Sequence, residues 1–371
     1  MTDHKLNPVA LDPWAASSLL QKAIRRGETG LAMMAARALY RYRGKAIWSR
    51  FLTIALEDVG IGSPNLVGEV AGLAYDANLR SILGSDVELI DYLCRKLADA
   101  PKDRSSDYLY SIAVRHRDSG RFWPELASLP LHQRIEVAAD PDQPLPRRAV
   151  ATLLAVTRDG LGAQILKGGV VREFLSAFDG QCRPALMDAV RAYASRGGHP
   201  FGLMLPILWS ELSATHVETS VQADEVPTTA FVGGIPLYTF DTHTAVGKRA
   251  ITIFAQQNPA MVQVLKQVPA DHRRGVALIA AFYADAVPIS RRFLWGESEE
   301  LERLGFEADM ILAGCPVEAL FPVLDCVRAN LSDLNRTRRA ALGHDHDERN
   351  MQSIAQAAER SGGSQPWSST S

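Results

Sequence analysis

The sequence predicts an all-α protein with one short β-hairpin as its exception. Apolar residues recur at helical spacing through most of the chain, and runs of alternating β-branched residues are missing from the first 120 positions. Gly and Pro mark several of the breaks between these stretches, at Gly27, Gly44, Gly60-Ile61-Gly62-Ser63-Pro64 and Pro141–Pro146. Trp14, Leu19, Leu20, Ala23 and Ile24 make the first apolar stripe, and Gly27 suits the left-handed turn that closes it. A second helix fits Leu31–Tyr42 and breaks at Gly44. A third starts near Ala46, turns Ile47, Phe51, Ile54 and Ala55 inward, and stops at Gly60-Ile61-Gly62-Ser63-Pro64. Helices also fit Asn65–Ala77, Asp86–Asp99 and Tyr108–His116. Three prolines within Asp140–Pro146 defeat both helix and central strand and read as a linker. Beyond it, helices fit Arg147–Arg158, Val171–Phe178, Arg183–Ser195 and Gly202–Ser213. Thr228–Phe240 has strand character, with a hairpin expected around Gly233-Gly234. Helices resume over Ala245–Gln257, Pro259–Val268, Asp271–Ala286, Glu297–Leu304 and Val317–Leu331. The expected division is an arm over 1–13, a helical domain over 14–139, the linker 140–146, a second helical domain over 147–342, and a disordered polar tail over 343–371.

The 371 residues carry 40 Lys and Arg against 42 Asp and Glu, with 47% hydrophobic and 22% charged residues, a balance that excludes wholesale disorder. No window approaches 18 uninterrupted apolar residues, which excludes a transmembrane helix by sequence. Met1-Thr2-Asp3-His4-Lys5 leads into Pro8 and Pro13 without an apolar stretch, so no secretory signal is expected. Cys94, Cys182, Cys315 and Cys326 lie far apart without a C-x-x-C pair and read as reduced thiols of a cytoplasmic protein.

Charge is unevenly spread. Lys22, Arg25, Arg26, Arg37, Arg41, Arg43, Lys45 and Arg50 stand against a single acid, Glu28, with Tyr40, Tyr42 and Trp48 interleaved. Such a face suits a phosphate backbone, whose binding releases counterions and is salt-sensitive; the alternative is a solvated face balanced by acids elsewhere. The patch Arg336-Thr337-Arg338-Arg339 reads as a helix C-terminus favoured by the macrodipole.

Neither Gly44-Lys45 nor Gly247-Lys248 completes a P-loop, and H-E-x-x-H and G-x-S-x-G are missing. No cofactor or metal is therefore expected. The most enzyme-like run is Asp241-Thr242-His243-Thr244, followed by Lys248-Arg249. Asp241 and His243 suit a metal pair or a base with its orienting carboxylate. The same residues also read as a helix cap through Thr242 or Thr244, or as a surface where His243, Lys248 and Arg249 meet phosphate. His344-Asp345-His346-Asp347-Glu348 in the tail offers a further weak metal pattern.

Four segments, in order, resemble one family. Ala16–Glu28, with Lys22-Ala23-Ile24-Arg25-Arg26-Gly27 at its centre, is similar to an S-A-x-x-K-S-x-R-G-S-D opening. Ser49–Ile61 is similar to A-R-R-L-x-x-x-A-S-E-D-I-G-L, Leu97–Lys102 to L-A-x-A-P-K, and Pro130–Arg134 to P-L-H-L-R. These belong to the C-terminal region of the replication-associated recombination protein A family, AAA+ ATPases related to clamp loaders. The resemblance covers about residues 14–135 and lacks the family's ATPase module. It implies an oligomerisation collar and action at stalled forks and single-strand/duplex junctions, without implying ATP hydrolysis. In that setting Glu57 and Asp58 are expected to pair with Arg50, Arg37 or Lys102.

The resulting expectation is a non-catalytic accessory protein of DNA replication, recombination or repair. Its DNA-binding face would comprise Lys22, Arg25, Arg26, Arg37, Arg41, Arg43, Lys45, Arg50 and Lys102, and it would homo-oligomerise or dock on an AAA+ ATPase supplied by another chain. Two alternatives stand beside it: a protein-only oligomerisation adaptor, and a metal- or base-dependent enzyme centred on Asp241 and His243.

Overall fold

The computed structural model describes residues 11–157, 165–166, 168–215 and 218–343. The first half runs through α1 (Pro13–Arg25), α2 (Thr29–Arg43), α3 (Ala46–Ile54), α4 (Pro64–Tyr75), α5 (Ala77–Leu83), α6 (Asp86–Asp99), α7 (Ser105–Arg115), α8 (Phe122–Ser128) and α9 (Leu131–Ala139). Local chemistry sets the ends. The Asp12 carboxylate accepts from the N–H groups of Trp14 and Ala15, both at 2.8 Å, while Pro13 occupies a position whose N–H would be orphaned anyway. Ser85 and Glu88 form a reciprocal capping box at α6. Gly27 adopts φ +70° as expected, and it is crowded besides: an added Cβ would meet Ser290 Oγ at 2.9 Å. The α5, α8 and α9 helices were not expected. Each is short, and α5 restarts directly behind α4 because Asp76 caps it through the Leu79 N–H at 2.9 Å.

The second half carries α10 (Leu145–Val156), α11 (Gly169–Ser176), α12 (Pro184–Ser195), α13 (Leu205–Thr215), α14 (Ala245–Gln257), α15 (Pro259–Val264), α16 (Arg273–Ala281), α17 (Ser298–Leu312) and α18 (Leu320–Ala329), then a helix over 331–343. The fold is predominantly α. Among the described residues four short strands interrupt it: β1 (Ser220–Ala223), β2 (Phe231–Val232), β3 (Ile235–Pro236) and β4 (Arg291–Leu294). The β2–β3 pair is the expected hairpin, with Gly233 and Gly234 both at positive φ. The antiparallel β1–β4 pair was not expected, since its partners lie far apart in sequence and β1 is exposed throughout, leaving no apolar alternation to read.

The Pro-rich segment 140–146 corrects the expected division. It is a turn between α9 and α10, which pack on each other, rather than a joint between separate cores. The α4 helix lies along α12 and α7 along α17, so both supposed domains share one continuous core from Leu11 to Ala341. No single helix among the described residues is long and apolar enough to cross a membrane. The 343–371 tail, with His344 to Glu348, lies outside the described residues apart from Gly343, as do residues 1–10 of the expected arm.

Candidate functional site

Burial sorts the predicted cations into three groups. Arg26 and Lys102 are interior: Arg26 donates to the Pro227 and Asp285 carbonyls at 2.8 and 2.9 Å and stacks on Tyr238, while Lys102 donates to the Ala98 and Ala100 carbonyls at 2.8 and 2.6 Å. Lys22 and Arg25 are also buried, so none of these four belongs to an exposed DNA-binding face. Their partners, Asp58, Asp241 and Asp285, are remote in sequence, and a local charge count cannot see them. A second group, Arg41, Arg43 and Lys45, is exposed at the C-terminal end of α2, joined by the half-exposed Arg37, whose Nε is bound by Asp91 at 2.9 Å. The third group, Lys22, Arg25 and Arg50, lines a cavity of about 630 Å³.

That cavity is built from distant parts of the chain. The α1 helix supplies Ser18, Gln21, Lys22 and Arg25, and α7 supplies Asp107, Tyr110 and Arg115. Two wide π-helical turns contribute as well: Ala55–Val59, which finishes α3 and carries Glu57, and Phe282–Ala286, which finishes α16 and carries Phe282. Arg104 lines the cavity from just ahead of α7, His199 from just ahead of the 3-10 turn Pro200–Met204, and Asp309 from α17.

Asp58 is the fully buried pivot beneath it. Its Oδ1 accepts from Arg25 Nε at 2.6 Å and Arg104 Nη1 at 3.1 Å, and its Oδ2 from Gln21 Nε2 at 2.7 Å. Glu57 accepts from Arg25 Nη2 at 2.9 Å. The acid pair is thus salt-bridged as expected, but through Arg25 and Arg104 rather than Arg50, Arg37 or Lys102. Burial, reinforced by the Asp58 charge, pushes the Glu57 carboxyl up. Arg50 is different. Among the described residues its one hydrogen bond is to the neutral Gln21 side-chain oxygen and its Nε is buried without a partner; burial pulls its pKa down against the Glu57 and Asp58 charges.

Asp241 and His243 sit at this same cavity. The Asp241 carboxylate, 1% exposed, receives Lys22 Nζ at 2.8 Å, the His243 N–H at 2.9 Å and His243 Nδ1 at 3.0 Å. Burial alone would raise its pKa, but Lys22 and His243 outweigh that and hold it well below the usual carboxylate range. Burial in turn brings Lys22 down to about 8 against the pull of Asp241. An ionised carboxylate only accepts, so Nδ1 carries the proton, and Nε2 of a ring that is 67% exposed is left for a ligand. The cap reading holds too: Thr244 accepts from the Gly247 N–H at 3.1 Å, at the start of α14. Gly247 is indispensable there, since an added Cβ would lie 2.0 Å from the Asp241 carbonyl oxygen. Lys248 is on the exposed side of α14, and Arg249 donates to the Ala341 carbonyl rather than joining His243. A metal pair is disfavoured because Asp241 already holds an ammonium, and no group of three metal-ligating side chains gathers among the described residues.

Trp14 joins the exposed strip to the cavity. It lines the cavity mouth, is 67% exposed, and carries the Arg43 guanidinium 5.0 Å above its ring. Sequence reasoning missed Arg104, Arg115, Tyr110, His199 and Asp309, none of which stands in a local pattern. No family model matches the chain, and no curated protein or solved structure matches it.

Proposed function

We propose that the protein is a non-catalytic accessory factor of DNA replication, recombination or repair that works in the cytoplasm. It binds DNA through the strip formed by Arg37, Arg41, Arg43 and Lys45. The observation that carries this reading is the company those cations keep. Lys22, Arg25, Arg26 and Lys102 are taken up in the interior by acids and carbonyls, while Arg41, Arg43 and Lys45 remain open to solvent beside two exposed aromatics, Trp14 and Tyr42, with Arg37 held next to them by Asp91. Cations interleaved with accessible rings suit a single strand, whose phosphates take the charge and whose bases stack. The resemblance to a fork-acting family supports the same ligand.

Fluorescence anisotropy with single-stranded, duplex and forked DNA tests it. The wild type is expected to lose orders of magnitude in affinity between about 50 and 200 mM salt. An Arg41→Ala/Arg43→Ala/Lys45→Ala variant is expected to weaken binding and flatten the log–log salt slope by about two to three. No binding by the wild type even at low salt overturns the reading and leaves a protein-only adaptor.

Self-association belongs to the same proposal. Ile82 and Leu83 of α5 and Val87 of α6 are exposed apolar side chains on the collar-like half, at 79, 58 and 43%. They are the surface for a second copy, or for an AAA+ ATPase. Sedimentation of the wild type against Ile82→Glu/Leu83→Glu separates the cases: a lighter variant assigns the patch to a second copy, and a wild type that is already monomeric rules the second copy out and leaves the ATPase.

A further inference from the structure

We infer that the cavity is an anion site for the phosphate monoester of one nucleotide, the end of the strand that the exposed strip binds. The inference rests on the DNA reading for the strand and on the cavity's own geometry for the phosphate.

Arg50 is the first observation. A guanidinium is a five-donor fork built for paired acceptors, yet Arg50 has a single neutral partner and a buried Nε with none. A half-buried guanidinium that feels the Glu57 and Asp58 charges but is bonded to neither keeps donors free for an arriving anion. Arg104, also in the cavity wall, has a buried Nε without a partner as well. The second observation is His243. Asp241 fixes its ring through Nδ1 and leaves Nε2 to hydrogen-bond with a phosphate oxygen. Lys22 binds the same carboxylate oxygen, Asp241 Oδ2, and so fixes the acceptor that orients the ring.

Size and charge select the end of a strand. A space of about 630 Å³ falls in the range of small-ligand pockets and accommodates one nucleotide. The Asp58, Arg25 and Arg104 network, all fully or almost fully buried, lies beneath it and presents its guanidinium donors to the terminal group. A monoester also carries up to two charges near neutral pH, where an internal diester carries one. Phe282, which packs edge-on against His243 with ring centroids 5.3 Å apart, and Trp14 at the mouth offer apolar faces for the base. From Trp14, Arg43 carries the path outward onto the strip.

The test uses the full chain and a short thymidine oligonucleotide prepared with a phosphate or a hydroxyl at either end. The wild type is expected to bind one phosphorylated form about ten- to a hundredfold tighter than its hydroxyl twin, the worth of one or two charge-assisted hydrogen bonds. Arg50→Gln is expected to erase that preference while keeping the affinity for hydroxyl ends. Arg50 is half-buried, so His243→Gln, at an exposed ring, provides a second variant whose folding is safe, and it is expected to reduce the same preference. The strip variant is expected to weaken both forms alike and keep their ratio.

Thymidine monophosphate is the competing probe. If it displaces the phosphorylated oligonucleotide at equal concentration, the occupant is a free nucleotide, and the strand-end assignment fails. Equal binding of phosphorylated and hydroxyl forms, with no competition by the monophosphate, overturns the cavity site and leaves the strip intact. Monophosphate binding by a protein that ignores every oligonucleotide overturns the strip reading and the strand end together, leaving a nucleotide pocket.

Discussion

Two residues show how strongly local chemistry constrains the site. Gly247 sits under the Asp241 backbone, where an added Cβ would be 2.0 Å from its carbonyl oxygen. Gly247→Ala is therefore expected to displace the 240–243 segment and cost about 1–3 kcal/mol, as overpacking does, measured by chemical denaturation. Phosphate-end selectivity should fall with it, because His243 moves. Lys102 is a buried ammonium whose partners are the carbonyls of Ala98 and Ala100, at the end of α6. Burial brings its pKa down to about 7 from its ordinary 10.5, so the unfolded chain binds that proton more tightly than the folded one. Between those values the unfolded state holds more protons, and this group's contribution to stability rises with pH. Against Lys102→Met, the wild type is expected to gain relative stability as pH climbs from about 7 towards 10.5. A difference between the two proteins that is flat across that window would show that Lys102 titrates normally.

At the scale of elements, three stretches of the first half meet at one point. Arg25 ends α1, Glu57 and Asp58 lie in the Ala55–Val59 turn, and Arg104 stands just ahead of α7. In space they become a single buried network around Asp58. Removing one partner from such a network leaves uncompensated charge inside the protein, which typically costs about 3–5 kcal/mol. Asp58→Asn is expected to approach that cost and to loosen α1, the Ala55–Val59 turn and the start of α7 together, as read by hydrogen exchange. Exchange confined to one of the three would show that Asp58 does not join them.

The same network explains what the sequence made legible. Helices such as Ala245–Gln257 and the hairpin at Gly233-Gly234 are written in spacing, caps and breakers, all local signals. Asp241 and His243 stood out for the same reason, being two residues apart. Lys22 as their third partner was hidden, because 219 positions of chain separate it from Asp241 and its own neighbourhood is basic. A run of eight cations looked like one surface because a helix's buried and exposed faces interleave in sequence. Only the acids waiting in the other half, Asp241 and Asp285, distinguish Lys22 and Arg26 from Arg41 and Arg43.

At the scale of the whole molecule, the cavity exists because the two halves of the chain are folded through each other. Its α1 and α7 walls come from the first half, and His199, His243, Phe282 and Asp309 from the second. The α4 and α7 helices pack on α12 and α17, with Gly68 against Ala185 and Tyr108 against Gly305, and they bury Val67, Ala71, Leu109 and Ile112. A fragment over 14–139 would expose those contacts to water and lose the partners of Lys22 and Arg26, and both losses destabilise it. It is expected to be unfolded or aggregated, whereas the full chain should unfold in one cooperative transition whose far-ultraviolet dichroism and tryptophan-fluorescence midpoints coincide. Trp48 and Trp123 lie in the first half, Trp209 and Trp295 in the second, so fluorescence reports on both. Two separate midpoints, or a fragment with dispersed amide resonances, would mean that the halves fold independently. The ligand site would then form only when they dock, and phosphate monoester binding would have to raise the first midpoint, at which the docked state is lost.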